Sequence, residues 1–388
     1  MKAAIIYSRY LNKSGNVRHI GGIETYLYNL ATLCKEIKIE PIIFQLANKD
    51  FERTVDDIRV IGIPTDNRPG PFRKTGLFKK ASQFFNVEKD IVIFGADRFA
   101  VSYDSNRCVS IQHGIPFDLP NRYLSPAGIW RGWSEDLWKK GFLGKLYKLS
   151  ARRKAIHDYE KCPNRVCVDY NFINWYRTFL AEDITGRNWV IPNFAEIPPS
   201  EMLNQFRQKK TELKILFARR FHDYRGTRIM AQSAKSLLEK YPNISFTFAG
   251  EGPDETWIRT QFINEPRVNI TKYTHDQITD IHLNHHIAVI PSIASEGTSL
   301  SVAEAMACGC AVVASEVGGI TNMIINRYNG LLCMPNSDEL ECCIEQLIND
   351  KKQREHLSKN AYSTAKHSFS KKNWVNAWKD VLEKIRQM

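Results

Sequence analysis

Short apolar runs rich in β-branched residues alternate along this chain with longer segments of helical period, and the alternation occurs twice. The first series has strands expected at Ala3–Tyr7, Pro41–Phe44, Asp90–Phe94, Cys108–Gln112, Val166–Val168 and 189–192, with a helical pattern over Thr25–Lys35. A polar, helix-prone stretch at 200–212 leads into the second series. There the strands are expected at Lys214–Phe217, Ser245–Ala249, Val268–Ile270, Ile287–Pro291 and Ala311–Ala314, and the helices at Ile229–Lys240, Ser299–Cys308 and Asp338–Asn349. Strands alternating with helices build parallel sheets covered by helices. At 388 residues the chain exceeds what one hydrophobic core holds, so the pattern predicts two Rossmann-like α/β domains with a boundary near 195–205. A closing helix at 372–386 places Trp374, Val375, Trp378, Val381, Leu382 and Ile385 on one broad face, which must cover something.

Composition narrows the class. With 43% hydrophobic and 25% charged residues the chain is neither disordered nor a polytopic membrane protein. The first apolar run reads as a strand and is too short for a signal peptide, and no run of about 18 apolar residues could span a bilayer. Nine cysteines without zinc-ligand spacing read as reduced, partly buried thiols of a cytoplasmic protein. The formal charge of +12 is uneven: residues 122–154 carry nine basic side chains against Glu135 and Asp136. In and around this stretch Trp130, Trp133, Trp138, Phe142 and Leu146 interleave with the cations. Core packing, contact with lipid or acceptor, and nucleic acid are the three readings, but no nucleic-acid-binding signature accompanies the patch.

Three segments carry candidate chemistry. Gly21-Gly22-Ile23-Glu24, between the first strand and first helix, is either a structural turn or a place where backbone approaches a ligand. The pattern G-x-G-x-x-G with a later acidic residue is absent, against a dinucleotide oxidoreductase. FARRFHDYRG at 217–226 follows the first strand of the second series; Arg220 and Arg225 could converge on a pyrophosphate, or the loop could simply be solvated, and His222 is an isolated loop histidine. The most informative segment is 291–319, PSIASEGTSLSVAEAMACGCAVVASEVGG. A strand end, a small-residue loop with Glu296 and Gly297, and a helix opening at Thr298–Leu300 and containing Glu304 make an anion-binding corner with two carboxylates beside it. Carboxylates beside a phosphate make sense when they accept hydrogen bonds from sugar or ribose hydroxyls, which favours a nucleotide-sugar site.

Glu296, seven residues and Glu304 resemble the E-x7-E element of retaining glycosyltransferases of family GT4, which have the GT-B fold of two Rossmann-like domains with parallel sheets facing across a cleft. EAMACG at 304–309, VVAS at 312–315 and VGG at 317–319 are similar to that family's donor-site segments. GGIE at 21–24, VIPN at 190–193, AGEGP at 249–253 and NGLL at 329–332 follow in the family's order. The resemblance covers about residues 3–385. It implies an acceptor-binding domain at 1–198 with the basic aromatic insertion 118–154, a nucleotide-sugar-binding domain at 199–368, and a C-terminal helix at 369–388 packing back toward the first domain.

By matching position, the resemblance assigns Glu304 to the donor ribose, Glu296 to the transferred sugar, and Arg220 and Arg225 to the diphosphate. It places Gly22 close to diphosphate or acceptor, offers the amides of Gly297, Thr298, Ser299 and Leu300 to phosphate, and puts His113 near the transferred sugar. Arg225 stands where lysine is usual, Arg219 where a glycine commonly precedes the phosphate-binding arginine, Phe194 for the glycine after Pro-Asn, and Asn322 near a usual acidic position. The implied reaction is transfer, with retention, from a nucleoside diphosphate sugar (a UDP-sugar ahead of GDP-mannose) to a glycan hydroxyl, without metal or cofactor. A lipid-linked acceptor in O-antigen or capsule-type polysaccharide assembly fits the basic stretch 122–154, with the protein peripheral at the inner face of the cell membrane. The alternatives are transfer to a soluble glucan or small metabolite, a GT-B epimerase or phosphorylase, and a non-catalytic nucleotide-sugar-binding protein.

Overall fold

The computed structural model describes residues 1–388 save 18–20, 65–69, 104, 116–117, 119–141, 180–185 and 208–211. Two compact units emerge. Met1–His113, Leu124–Ile191 and Val375–Met388 form the first, and Gly114–Tyr123 with Pro192–Trp374 the second.

The first unit holds an eight-stranded sheet in the order β3-β4-β2-β1-β5-β6-β7-β8. Its strands are β1 (Lys2–Ile6), β2 (Glu40–Ala47), β3 (Phe51–Val55), β4 (Ile58–Pro64), β5 (Ile91–Phe94), β6 (Cys108–Gln112), β7 (Asn164–Cys167) and β8 (Arg187–Val190). All neighbours pair parallel except β3 and β4. That hairpin turns through Asp56 and Asp57, both at positive φ (50° and 59°), the left-handed geometry a two-residue hairpin loop requires. Its helices are α1 (Gly22–Glu36), α2 (Gly70–Ala81), α3 (Phe142–Glu160) and α4 (Tyr170–Phe179). Ile42, Phe44, Val92 and Phe94 pack one face of the sheet against Leu77, Ala81 and Phe85. Trp130, Trp133 and Trp138 lie outside the described residues.

The second unit is built on an all-parallel six-stranded sheet in the order β11-β10-β9-β12-β13-β14. Its strands are β9 (Leu213–Ala218), β10 (Ile244–Ala249), β11 (Val268–Thr271), β12 (Ile287–Ile290), β13 (Ala311–Ser315) and β14 (Leu331–Cys333). The helices are α5 (Ser200–Arg207), α6 (Thr227–Lys240), α7 (Glu255–Gln261), α8 (Ile278–Leu283), α9 (Leu300–Ala307), α10 (Ser337–Asn349) and α11 (Lys351–Ser368). Both sheet faces are buried: Ile215, Phe217, Phe246 and Val289 pack with α6 and α10 on one side, while Ala288, Ile290, Val312 and Ala314 pack with α9 and α11 on the other. Two-faced burial is why these strands are near-continuous apolar runs.

The last helix, α12 (Lys371–Arg386), buries Trp374, Trp378, Val381, Leu382 and Ile385, the stripe that its helical period marks. From Val375 onward it belongs to the first unit, where Trp378 Nε1 donates to the Tyr26 hydroxyl of α1 at 2.7 Å. All nine cysteines are free, seven of them buried. No described helix is long and apolar enough to cross a membrane.

Candidate functional site

The chain order of the second sheet reverses between β9 and β12, and ligands of open α/β sheets bind outside the C-terminal ends of strands at such a switch point. Three segments meet there: the loop after β9 with Arg219 to Gly226, the loop after β12 with Ser292 to Ser299, and the start of α9. Gly226 lets them nest. It sits at φ +81°, and a Cβ there would lie 1.8 Å from the Pro291 carbonyl oxygen, so no other residue fits without separating the two loops.

Glu296 is the centre of this junction. Its Oε1 accepts from the Arg219 guanidinium at 2.5 Å, from Arg225 at 2.7 Å and from the Ser292 hydroxyl. Arg219 also donates to Ser292 Oγ at 2.7 Å. Among the described residues no bond reaches Oε2. Burial alone would raise the Glu296 carboxyl, but Arg219, Arg225 and the Ser292 hydroxyl hold it far below the ordinary carboxylate range. The backbone beneath is braced by Gly318 and Gly319: the Gly319 amide donates to Glu296 O at 2.7 Å, and a Cβ on Gly318 (φ +53°) would strike Ser295 and Glu296.

Gly297, Thr298 and Ser299 are buried and lead into α9. Asn193 ties this start down, its amide donating to Thr298 Oγ1 at 3.2 Å and its side chain to the Thr298 carbonyl. Ser299 precedes Leu300, the first residue of the helix, and its side chain does not cap the first turn, so those backbone N–H groups keep their affinity for an acceptor. One turn on, Glu304 is half-buried, its carboxyl without a hydrogen bond among the described residues, and burial pushes that carboxyl up to about 7.

Of the predicted residues in this unit, Arg225, Glu296, Gly297, Thr298, Ser299, Leu300 and Glu304 belong to one neighbourhood. Arg220 follows β9 as expected but its side chain is exposed and makes no contact with Glu296. Its neighbour Arg219 takes the buried place instead. Arg219, Ser292 and Asn193 are the residues that sequence reasoning missed. The sequence marks Arg219 only as an arginine standing where the resembled family commonly has glycine. His222 lies against Tyr224, ring centroids 3.9 Å apart.

In the first unit, His113 follows β6. Its Nε2 bonds the Gly95 carbonyl at 2.9 Å, which requires the proton on Nε2 and leaves Nδ1 as an acceptor. The Tyr26 ring stands perpendicular to it, centroids 5.3 Å apart. Burial, aided by the Arg98 charge, pushes the imidazole down to about 4, so it is neutral at pH 7. Gly22 is the exposed first residue of α1. No group of three His, Cys, Asp or Glu side chains converges as metal ligands among the described residues.

Comparison with known proteins places this geometry in context. The family of glycosyl transferases group 1 matches residues 200–364. An uncharacterized glycosyltransferase of Methanocaldococcus jannaschii is 23% identical over 401 aligned positions, covering 95% of this chain and 96% of that one. The N,N'-diacetylbacillosaminyl-diphospho-undecaprenol alpha-1,3-N-acetylgalactosaminyltransferase of Campylobacter jejuni is 34% identical over 145 positions, 37% of each chain. The Anabaena HepE structure in complex with UDP-glucose superposes with a TM-score of 0.70 over the full length of both chains at 18% identity, a likeness of fold. Residues 200–364 therefore match the glycosyl transferases group 1 family, and the chain as a whole has the GT-B fold.

Proposed function

We propose that this protein moves a sugar from a nucleoside diphosphate donor to a glycan hydroxyl with retention at the anomeric carbon, and that the donor is a UDP-sugar. The observation that carries the reading is Glu296: a carboxylate in the loop after β12, fixed through one oxygen by two arginines, its other oxygen unpartnered among the described residues, beside the uncapped first turn of α9. Departure of the diphosphate puts negative charge on its oxygens and oxocarbenium character on the sugar. Arg220 and amides of the 297–300 segment answer the first as donors to developing charge, joined by Arg225 once it leaves Glu296. Glu296 Oε2 accepts from a hydroxyl of the transferred sugar and Glu304 from the ribose. His113, neutral, offers Nδ1 to the transferred sugar. The leaving phosphate takes the acceptor proton, so a glycosidase-like carboxylate pair is not required, and we propose that the transfer needs no metal. The UDP-glucose complex of HepE supports the donor class.

For the acceptor we propose a lipid-linked glycan of O-antigen or capsule-type assembly, met at the inner face of the cell membrane. Exposed Lys145, Arg152, Arg153 and Lys154 share α3 with Leu146 and Leu149, which are 38% and 39% exposed. Cations beside exposed leucines suit an anionic lipid interface. The test is a donor panel of UDP- and GDP-sugars followed by nucleotide release, with and without lipid-linked acceptor extract. Release that depends on the extract supports the reading. Sugar-nucleotide interconversion without acceptor, or a requirement for phosphate, would replace it with epimerisation or phosphorolysis.

A further inference from the structure

We propose that Arg219 is a positioning residue: a buried counter-ion that keeps Glu296 neutralised while Arg225 leaves the carboxylate for the diphosphate of the sugar nucleotide. The inference rests on the donor reading above for the chemistry of the ligand, and on this chain's own geometry for the role.

The two arginines that share Glu296 Oε1 differ in freedom. The Arg219 side chain is 4% exposed and is pinned twice, by Glu296 and by Ser292 Oγ. That of Arg225 is 33% exposed, stands in the loop ahead of α6, and rests on the neighbouring Tyr224 ring at 5.4 Å. A ligand with negative oxygens can therefore draw Arg225 away but not Arg219. Were Arg225 the sole partner, its departure would strand a carboxylate that is 11% exposed, and an uncompensated buried charge is strongly unfavourable. With Arg219 and Ser292 in place, Oε1 keeps two donors and Oε2 stays aimed at its own partner.

A purely stabilising arginine would be expected to satisfy all its donors, yet among the described residues Arg219 Nε is buried without a partner. Burial also makes the charged guanidinium costly to hold, lowering its pKa, so its presence calls for a return elsewhere. A glycine at this position, as in the family the chain resembles, could not provide the counter-charge.

The test is calorimetric titration with UDP and with GDP between pH 4.5 and 8, on wild type, Arg219→Lys, Arg219→Gln and Ser292→Ala, with KM and kcat measured for the donor that turns over. Arg219→Gln should weaken nucleotide binding at least tenfold at pH 8, mostly in KM. The loss should shrink toward acid pH, where a Glu296 freed of its counter-ion takes up a proton and no longer competes for Arg225. Arg219→Lys should restore most of the affinity, and Ser292→Ala should show a smaller loss with the same pH trend. If Arg219→Gln does not fold, the lysine and alanine variants carry the test through that trend. Affinity equal to wild type in the variants, or a loss uniform in pH, overturns the proposal alone. Wild type that binds neither UDP nor GDP overturns the donor reading and this role with it.

Discussion

Trp378 and Tyr26 lie 352 positions apart in sequence, and the indole Nε1 of one donates to the phenol oxygen of the other at 2.7 Å in a fully buried setting. The bond ties α12 to α1, and the Tyr26 ring in turn packs perpendicular to that of His113. Deleting either partner leaves a buried polar atom short of one bond, which costs about 1–3 kcal/mol. Trp378→Phe and Tyr26→Phe should each lower the urea midpoint accordingly. The double variant should lose less than the sum, by about 0.5–1.5 kcal/mol. Strict additivity would show that the contact is energetically silent.

Glu304 predicts a pH dependence of one sign. Its folded pKa of about 7 lies above that of an unfolded glutamate because burial disfavours the anion. The folded state then holds the proton more tightly, a benefit fully present below about pH 4.3 and lost as pH rises through 7. Glu304→Gln, which cannot ionise, should therefore gain about 1–3 kcal/mol on wild type at pH 8 and nothing at pH 4.5. It should also bind nucleoside diphosphate about tenfold more weakly, for want of the acceptor assigned to the ribose. Denaturant melts at the two pH values, with UDP titration alongside, check both.

His113 predicts the opposite slope. Its folded pKa, about 4, lies below that of a free imidazole, so it contributes stability above about pH 6.5 that is lost as pH falls toward 4. Across the same window Glu304 gains stability and His113 loses it, and wild type shows only their difference. His113→Asn should flatten the acid limb and Glu304→Gln should steepen it. Variants with unchanged limbs would show that neither group titrates as its burial implies.

The strands were legible because parallel strands buried on both faces are written as continuous apolar runs, as in Ile91–Phe94 and Ile287–Ile290. The β3–β4 hairpin was not. FERTV is an edge strand with its middle three residues exposed, and its turn is Asp-Asp where Asn-Gly is the usual signal. Helix α11 escaped because it meets the core through Leu357 and small residues, Ser358, Ala361 and Ala365, too faint an apolar period to see. In the site, the spacing of Glu296 and Glu304 was visible as a loop carboxylate followed by one on a helix. That Arg219 turns inward onto Glu296 depends on where β9 ends, a tertiary detail that the sequence does not carry.

Gly226 bears the contact between the β9 and β12 loops. Alanine there would have to hold φ +81° and place its Cβ against the Pro291 carbonyl. Strain and clash together should cost at least about 2 kcal/mol. The loops would part, loosening the Arg225–Glu296 pair, so Gly226→Ala should lower nucleotide affinity more than it lowers the melting temperature of distant elements. A Gly226→Ala protein of wild-type stability and affinity would contradict the close approach.

The exposed face of α3 yields a prediction about salt. Each cation near an anionic lipid surface contributes about 1 kcal/mol, within a screening length of about 8 Å at physiological ionic strength. Arg152→Glu with Arg153→Glu reverses two such charges on the face that also carries Leu146 and Leu149. Sedimentation with vesicles of one-third phosphatidylglycerol should find wild type bound at low salt and released at high salt. The double variant should be unbound at both, while nucleotide affinity, measured in solution, stays at the wild-type value. Leu146→Ser with Leu149→Ser should weaken vesicle binding at every salt concentration, because the apolar contribution is not screened. Wild type that fails to sediment with the vesicles at low salt would argue against the membrane surface and return this helix to the acceptor's own charge.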